Sequence, residues 1–503
     1  MSKKKNNYNY KELISRTVMF LILIQASLFL FAYLWIVMER INYPFDLEWM
    51  EGGSALHVQR ILDKKPLYAK PSVDFTPYIY TPLYYYLSSM VSRMIGNGYA
   101  SLRIISFFSS IGCFILIFLI SYRKTKSYYF SFLAPCMFAA TYPLSGSWFD
   151  LARVDMLFLF LLLGSIYTYE SKNPVLRSFA SPLLMFLSFF AKQTAMIGAV
   201  VFSINSLILR KRYERIFFPL IFFGLLIFST IAMNIISDGW YSYYVFKLPR
   251  YHGIVKSMIF KGFWIENIIR YLGIAFYFCM VSFLKRKTNE HEPERYFNDV
   301  SIFGGLALTS WFAMMHAGSY MNAFMPIYTV IAIYFCIGVW MAIKRFGGII
   351  TIRLFLFMAI FFQFLNLSYE KERYVPKMED REYGEKIINV ISRIRGEVYC
   401  PDHPWYLAMA GKEPQAPTMA VIDVLRSAEF RSARKDLEEE IKRAIENGKY
   451  TALLMDFPQP ILPVSRFEKK YKLINNNLVL HYFEPVTGWK RKPRYLYERR
   501  SSD

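Results

Sequence analysis

Long uncharged apolar runs constrain the fold of this chain more than any other feature of its sequence. A transmembrane helix needs about 20 largely apolar residues, and residues 17–38 form such a run without a single charge. No small-residue cleavage site follows this run, so it predicts a retained helix and not a cleaved signal peptide. Together the runs predict a multi-pass α-helical membrane protein. The later runs lie at 104–122, 127–149, 156–169, 178–191, 193–209, 216–237, 271–284, 300–315, 317–343 and 354–369.

The composition agrees with a membrane protein. Charged residues make up 19% of the chain, against about 25% in soluble domains, which excludes an ordinary soluble enzyme and a disordered chain. The formal net charge of +22 fits cytoplasmic loops that collect Lys and Arg, and we expect no nucleic-acid partner. The five cysteines have no CxxC or zinc-site spacing, so they predict neither a disulfide framework nor a metal site.

The basic clusters decide the topology. Residues 178–209 hold one charge, Lys192, and could form one long helix or two short ones. Only two helices with a turn at Lys192 put every basic cluster on the cytoplasmic side, as the positive-inside rule requires. The sequence therefore predicts about eleven transmembrane helices, with the N-terminus inside and the C-terminus outside. The clusters are Lys3–Lys5, Arg123–Lys126, Lys172–Arg177, Arg210–Arg215, Lys285–Lys287 and Lys344–Arg345.

Three regions follow from this topology. Residues 1–16 form a basic cytoplasmic N-terminus, and residues 17–369 form the transmembrane domain with a polar outer first loop at 39–103. Residues 370–503 form an extracytoplasmic domain. Short strand-like runs and one amphipathic helix predict that this last domain is a small α/β unit. The strand-like runs are Val398–Cys400, Thr451–Met455 and Leu478–Tyr482, and the helix is Ala433–Ile445.

Three carboxylates follow closely after the first apolar run. Asp46, Glu48 and Glu51 flank Trp49 at the start of the outer loop. If a helix starts near Trp49, Glu51 lies in its first turn, where the helix dipole keeps a carboxylate ionised. Such a carboxylate at the membrane surface can take a proton from a sugar hydroxyl. The three residues are therefore candidate catalytic bases, and acidic capping of a helix N-terminus is the structural alternative.

A second acidic stretch, Trp148–Asp155, opens the predicted fourth helix. On that helix Asp150 and Arg153 would be neighbours at i and i+3, and Asp155 would lie in the apolar zone. A charge in the membrane is costly and needs a partner, for which Arg153 and Arg103 are the candidates. Asp150 and Asp155 are thus either further catalytic carboxylates or members of a structural ion pair.

Cations on the outer side could hold a lipid phosphate. Lys192 sits at the tip of the predicted helical hairpin, where an anion would stabilise it. Lys247, Arg250 and His252 follow the seventh run among aromatic residues, at headgroup depth. Arg153 could add to this charge. The structural alternatives are a lysine that extends to the headgroups and general binding of anionic lipids.

Aromatic and neutral polar residues are candidate substrate contacts. Tyrosines around Tyr80 and Tyr84 could stack on a sugar or line a lipid groove, as could Trp49, and an aromatic belt is the alternative. The outer segment that starts at His316 carries further hydrogen-bonding groups beside Gly318, and a satisfied polar turn is its alternative. This segment adds His316, Tyr320 and Asn322 to the candidates.

These motifs resemble the GT-C glycosyltransferases. The outer loop has Glu51, then Arg60 nine residues later, then Pro-Leu-Tyr and Thr-Pro-Leu-Tyr-Tyr. The pattern is most similar to the family 39 branch, with the protein O-mannosyltransferases and the lipid A aminoarabinose transferases. That family usually has adjacent Asp-Glu where this chain has Met50 and Glu51, and the spacing to Arg60 favours Glu51 as the base.

The resemblance implies a membrane glycosyltransferase. It would move a sugar from a polyprenyl-phosphate donor to a hydroxyl of a glycan, lipid or protein acceptor, with inversion, on the outer face of the cytoplasmic membrane. It requires no cofactor, and the clustered carboxylates leave a divalent metal open. A transporter or flippase for a lipid-linked sugar and a non-catalytic glycan-assembly protein are the alternatives. The charges at helix ends and the lack of a repeat disfavour the transporter.

Overall fold

The computed structural model describes residues 2–210, 214–283, 292–427, 431–460, 462, 467–475 and 485–500, and most of them are helical. The α-helices α1 to α20 are, in chain order, Ser2–Arg40, Glu51–Leu62, Leu83–Ile95, Tyr99–Thr125, Tyr128–Ala140, Asp155–Tyr169, Ser181–Ala191, Ala195–Leu209, Glu214–Ile236, Trp240–Ser242, Leu248–Arg250, Arg270–Val281, Glu292–Met315, Met325–Phe346, Ile350–Asn366, Met378–Arg393, Pro404–Met409, Thr418–Leu425, Arg431–Glu446 and Phe467–Lys470. Turns of 3-10 or π-helix cover Pro143–Ser145, Leu176–Ala180, Tyr243–Lys247, Lys256–Met258, Lys261–Ile269, Met321–Phe324 and Lys371–Tyr374.

The protein is a multi-pass α-helical membrane protein, as the sequence predicts. Each predicted run overlaps a helix, but fewer of the described helices are long and apolar enough to span a membrane. There are five, or six if a pair bent by 46° is one span, and four shorter apolar helices accompany them. The count of about eleven is therefore not confirmed. The five are Glu12–Arg40, Tyr99–Thr125, Glu214–Ser237, Lys261–Val281 and Met321–Phe346.

The helix α14 lies at the centre of the helical domain. The apolar part of the Met321–Phe346 span is 83% buried by other parts of the chain. It packs closely on α12, because a Cβ atom added at Gly338 would lie only 1.9 Å from the carbonyl oxygen of Phe278. Small residues permit such close helix contacts in membranes. The turn Met321–Phe324 directly precedes α14.

The interpretation of two helices at Lys192 is confirmed. Helix α7 ends at Ala191, Lys192 has extended backbone angles (φ −153°, ψ 123°) and α8 begins at Ala195. Lys192 therefore lies between the two helices and belongs to neither, and its side chain can turn toward a neighbouring helix.

The opposite ends of these helices carry the basic loops. One ion pair joins the ends of α4 and α6, a second joins the turn before α7 to the start of α9, and a third joins the end of α8 to α13. They are Lys124–Glu170 at 2.6 Å, Arg177–Glu214 at 2.7 Å and Arg210–Glu294 at 2.8 Å. The contacts gather three of the predicted basic clusters at one end of the bundle, as the positive-inside argument required.

One helix boundary differs from the prediction. The helix α6 begins at Asp155 and not at Trp148. The residues before it turn sharply, since Ser147 has a positive φ of 60° and the Arg153 N–H bonds the Leu151 carbonyl at 2.6 Å. Asp150 and Arg153 are therefore not neighbours on one helix face, and each finds a different partner.

The tail contains the predicted α/β unit. It contains the strands β1 (Val398–Tyr399), β2 (Ala452–Met455), β3 (Tyr471–Asn475) and β4 (Tyr495–Arg499). The sheet has the order β1-β2-β4-β3, in which β1 pairs parallel with β2 and the other neighbours are antiparallel. An apolar stripe on α19, made by Ala433, Leu437, Ile441 and Ile445, is buried in the core, as the amphipathic pattern predicts. The predicted run Leu478–Tyr482 lies outside the described residues.

The tail docks on the first outer loop. The Thr487 N–H donates to the Leu47 carbonyl at 3.2 Å. On the other side, Gly384 of α16 packs against the Phe45 ring so closely that an added Cβ would lie 2.3 Å from it. The loop with the three carboxylates is consequently enclosed between the spanning helices and the tail.

Candidate active site

Glu51 is completely enclosed by hydrogen-bond donors. Its carboxylate accepts from Arg103 Nε at 3.0 Å and Nη2 at 2.6 Å. It also accepts from the backbone N–H groups of Leu47 at 2.8 Å and Ala152 at 2.7 Å. Burial alone would raise the pKa of Glu51, but Arg103 and these N–H groups hold it below its usual value. This carboxylate joins the first outer loop to α4 and to the segment before α6.

Asp150 makes a second enclosed ion pair. Its Oδ2 lies 2.7 Å from Arg40 Nε at the end of α1, and the Tyr142 hydroxyl donates to Oδ1 at 3.1 Å. Both charged side chains are almost fully buried. The pair connects α1 to the turn before α6, which is a structural contact.

Asp155, Lys192 and Asn322 meet near the N-terminal ends of α6, α8 and α14. Asp155 Oδ1 accepts from Lys192 Nζ at 2.6 Å and from Asn322 Nδ2 at 2.8 Å. Its partner is therefore Lys192 and not Arg153 or Arg103, because the break after Ala191 turns the lysine toward α6. Asp155 Oδ2 has no hydrogen-bond partner among the described residues. Asp155 and Lys192 thus form a buried ion pair in which one carboxylate oxygen can still accept a hydrogen bond.

Arg153 and Glu48 extend this group toward the tail. Arg153 donates to the Tyr80 hydroxyl at 3.0 Å, and its Nη1 lies 3.7 Å from Glu48 Oε2. The Trp148 ring lies beneath the guanidinium, 4.8 Å from its carbon to the ring centroid. Burial raises the pKa of Glu48 to about 8, although Arg153 and the Met50 N–H act in the opposite direction. The raised pKa shows that Glu48, unlike Glu51, has too few hydrogen-bond donors around it to offset its burial.

Asp46 forms a relay with the tail. His403 Nδ1 lies 2.8 Å from Asp46 Oδ2, and His403 Nε2 lies 3.2 Å from Asp456 Oδ2. Burial alone would lower the pKa of His403, but Asp456 and Asp46 together raise it to about 10. The imidazolium therefore donates to both carboxylates. His403 belongs to the tail, so this contact joins the tail to the first outer loop.

The predicted aromatic contacts divide into two groups. Tyr320 is 38% exposed and packs against Trp148, with ring centroids 5.3 Å apart. Trp49 lies edge-on to Trp489 of the tail at 6.1 Å. Tyr84, by contrast, is fully buried, and its hydroxyl donates to the Leu102 carbonyl at 2.9 Å. Tyr84 has the environment of a packing residue.

The cationic cluster after α9 is also divided. Lys247 and Arg250 are exposed, whereas His252 is buried. His252 Nε2 lies 3.1 Å from the Asp423 carbonyl oxygen of the tail, and the rings of His252 and His316 are 4.9 Å apart. Burial lowers the pKa of both rings, that of His252 to about 4, so the two histidines are neutral neighbours at a joint between the transmembrane domain and the tail.

Sequence reasoning did not find three residues of this region. Arg491 stacks on Trp489 and Trp49, and Asp456 binds His403. Arg40 binds Asp150. A tryptophan two positions before an arginine in the polar tail was the available signal for Arg491. Arg40 closes a transmembrane helix, where an arginine at the interface is ordinary.

The arrangement can move a proton and stabilise an anion. A carboxylate with a raised pKa, Glu48, lies beside a buried arginine, and a buried lysine lies one contact further into the membrane domain. Within the described residues, no three His, Cys, Asp or Glu side chains are grouped to hold a metal ion. An open cleft of 900 Å³ lies between the first outer loop and α17, and none of the predicted site residues lines it.

Comparison with solved structures identifies the fold. The chain is similar to ArnT from Cupriavidus metallidurans bound to undecaprenyl phosphate, with a TM-score of 0.60 and 10% sequence identity over 95% of this chain and 98% of that one. ArnT is a lipid A aminoarabinose transferase of the GT-C type. The fold is GT-C-like. The apo form of the same ArnT gives a TM-score of 0.54, with 11% identity over 94% of this chain and 97% of that one.

A second GT-C-like neighbour is more distant. The Archaeoglobus fulgidus oligosaccharyltransferase, in complex with zinc and sulfate, has a TM-score of 0.51 and 11% identity over 85% of this chain and 67% of that one. No protein-family model matches the sequence, and no curated protein is significantly similar to it. The structural comparison thus confirms, at the level of the fold, the GT-C resemblance that was based on the first outer loop. The comparisons by sequence do not detect it.

Proposed function

We propose that this chain is an integral membrane glycosyltransferase that transfers a sugar from a polyprenyl-phosphate carrier to a hydroxyl acceptor. The site would face outward from the cytoplasmic membrane, with the N-terminus in the cytoplasm. The observation that carries the proposal is the row of charges from Lys192 and Asp155 through Arg153 to Glu48, at the boundary between the spanning helices and the tail. Support for the carrier comes from the similarity to ArnT, whose structure contains undecaprenyl phosphate.

Lys192 and Arg153 would hold the donor phosphate. Both are at least nine-tenths buried, and a buried cation interacts strongly with an anion because water does not screen it. Lys192 donates to a single oxygen of Asp155, which also accepts from Asn322, so a phosphate could share the lysine. Lys247 and Arg250, which are exposed, would at most attract the anionic headgroup from the membrane surface.

Glu48 is the carboxylate best suited to act as the base. Glu51 accepts four hydrogen bonds and has no room for a fifth partner, whereas Glu48 accepts one backbone bond, from the Met50 N–H at 3.2 Å. A general base works best when its pKa lies near the working pH, and the raised pKa of Glu48, about 8, meets that condition. Asp46 is occupied by His403, which leaves Glu48 as the base in this proposal.

In this proposal the sugar is transferred in a single displacement step. The acceptor hydroxyl gives its proton to the Glu48 carboxylate while its oxygen bonds to the anomeric carbon of the donor sugar. The bond from that carbon to the phosphate oxygen breaks on the opposite face, so the configuration inverts. The polyprenyl phosphate departs with the electron pair, and Lys192 and Arg153 stabilise its added negative charge. A phosphate leaving group needs positive charge more than it needs a proton.

Surface-glycan analysis of four strains tests the proposal. The strains are a deletion and the deletion complemented with wild type, with Glu48→Gln or with Asp63→Asn. Asp63 is the matched control, since it is an exposed carboxylate in the same outer loop. We expect the deletion and Glu48→Gln to lack the same sugar, while Asp63→Asn restores it. If Glu48→Gln restores the sugar with normal efficiency, Glu48 is not the base. If the deletion retains every surface sugar, the transferase proposal is overturned.

A further inference from the structure

The tail contains a cavity that the proposed reaction has not used. It has a volume of 300 Å³, at the lower end of the roughly 300–1,000 Å³ typical of small-molecule pockets. Its polar wall includes Asp402, Thr418 and Arg491, and aromatic rings stand at its rim.

The charged groups of this cavity are buried but incompletely paired. The side chains of Asp402 and Arg491 are 9% and 5% exposed, and their nearest atoms, Oδ1 and Nη1, are 3.5 Å apart. Asp402 Oδ1 and Arg491 Nε make no hydrogen bond among the described residues. Unsatisfied buried polar atoms are costly, and a ligand with hydroxyl groups would satisfy an acceptor and a donor together. Because the two charges offset each other, the cavity suits a neutral polar ligand.

The rim of the cavity is aromatic. Trp489 and Phe457 are 56% and 45% exposed, with ring centroids 6.5 Å apart. Arg491 is stacked between them, 4.0 Å from the Trp489 centroid and 4.4 Å from the Phe457 centroid, which keeps the rings in place. Large exposed rings beside a polar pocket are typical of a binding site. A sugar ring matches this surface, since its C–H face packs on an aromatic ring while its hydroxyls bond to polar side chains.

The cavity also adjoins the proposed base. Gly488 turns the chain with a positive φ of 77°, and a Cβ atom there would lie 2.7 Å from Glu48 Cγ. Arg491, in the wall of the cavity, lies 4.9 Å from the Trp49 ring, next in sequence to Glu48. Residues 487–491 therefore connect the cavity directly to the carboxylate that would take the acceptor proton.

We propose that this cavity binds a sugar ring of a carbohydrate acceptor, with the ring stacked on Trp489 and its hydroxyls bonded to Asp402 and Arg491. The proposal rests on the proposed transferase function and adds that the acceptor is a glycan, whether free or lipid-linked, and not a protein hydroxyl. The tail would thereby select the acceptor and hold it beside Glu48.

The test is glycan binding by the full-length protein in lipid nanodiscs. An array of unmodified mono- and oligosaccharides is the probe, and the affinity for the strongest ligand is then measured for each variant. We expect Trp489→Ala and Asp402→Asn to weaken binding at least tenfold. Leu473→Ala, the matched control for an exposed apolar residue of the same domain, should bind as wild type does. Because Trp489 is on the surface, its replacement tests the cavity even if Asp402→Asn unfolds the tail.

Two further measurements separate this inference from the transferase proposal. Binding of the array glycan by Lys192→Ala should be normal, because Lys192 belongs to the donor side. In a transfer assay, Trp489→Ala should raise the KM for the glycan acceptor while kcat changes little. The inference is overturned if wild type binds no glycan on the array, if Trp489→Ala binds as well as wild type, or if inorganic phosphate displaces the sugar. If the deletion strain retains every surface sugar while the protein still binds the glycan, the transferase proposal alone is overturned.

Discussion

Replacement of Glu51 by glutamine separates a structural carboxylate from a catalytic one. All four partners of Glu51 are N–H donors, at 2.6 to 3.0 Å. A glutamine amide keeps the shape but turns one acceptor oxygen into a donor, so two of these N–H groups lose their acceptor. It also leaves Arg103 buried without its counter-charge, and loss of one partner from a buried ion pair costs about 3–5 kcal/mol. Total stabilities are typically about 5–15 kcal/mol, so the loss is large.

The assay is the thermal unfolding midpoint of detergent-purified variants, together with their yield in membranes. We expect Glu51→Gln to lower both, and the double variant Glu51→Gln/Arg103→Gln to be less destabilised than the sum of the two single changes. Asp63→Asn should unfold as wild type does. If Glu51→Gln keeps the wild-type midpoint and yield but abolishes sugar transfer, then Glu51 is a catalytic base and the structural argument is wrong.

Four other predictions follow from the site and its supports. Sugar transfer should rise with pH through about 8 as Glu48 loses its proton, and a pH–rate profile in which Glu48→Gln keeps that rise would contradict its role as the base. His403 has a raised pKa of about 10, so its stabilisation is complete below about pH 6.5 and is lost as the pH rises through 10. Unfolding midpoints measured across this range should fall for wild type and stay flatter for His403→Gln. Lys192→Ala should weaken the binding of undecaprenyl phosphate at least tenfold in a fluorescence titration, and equal affinity would exclude Lys192 from the phosphate site. Gly338→Val should unfold at a lower temperature or fail to accumulate, since its side chain would collide with Phe278 on α12, and a wild-type midpoint would show that the helices separate freely.

The helical architecture was largely readable from local sequence. A membrane-spanning helix bonds its own backbone, so an uncharged run and its flanking charges predict the element without knowledge of its neighbours. The break at Lys192 was predicted from the positive-inside rule, which requires the basic loops to lie on one side of the membrane. The amphipathic stripe of α19 and two strands of the tail followed from periodicity. The start of α6 could not be predicted in this way. The turn before it depends on a hydrogen bond from the Ala152 N–H to Glu51, which is about a hundred positions earlier in the chain.

The sequence by itself determined which chemical groups the outer face contains, and only the tertiary structure decided how they are paired. Asp46, Glu48 and Glu51 lie within one short stretch of sequence, yet one binds His403, one lies near Arg153 and one is enclosed by Arg103. Burial and partners set the pKa of a carboxylate, and both come from residues distant along the chain. The same holds for the cavity beside Trp489, whose walls are brought together only by the fold of the tail.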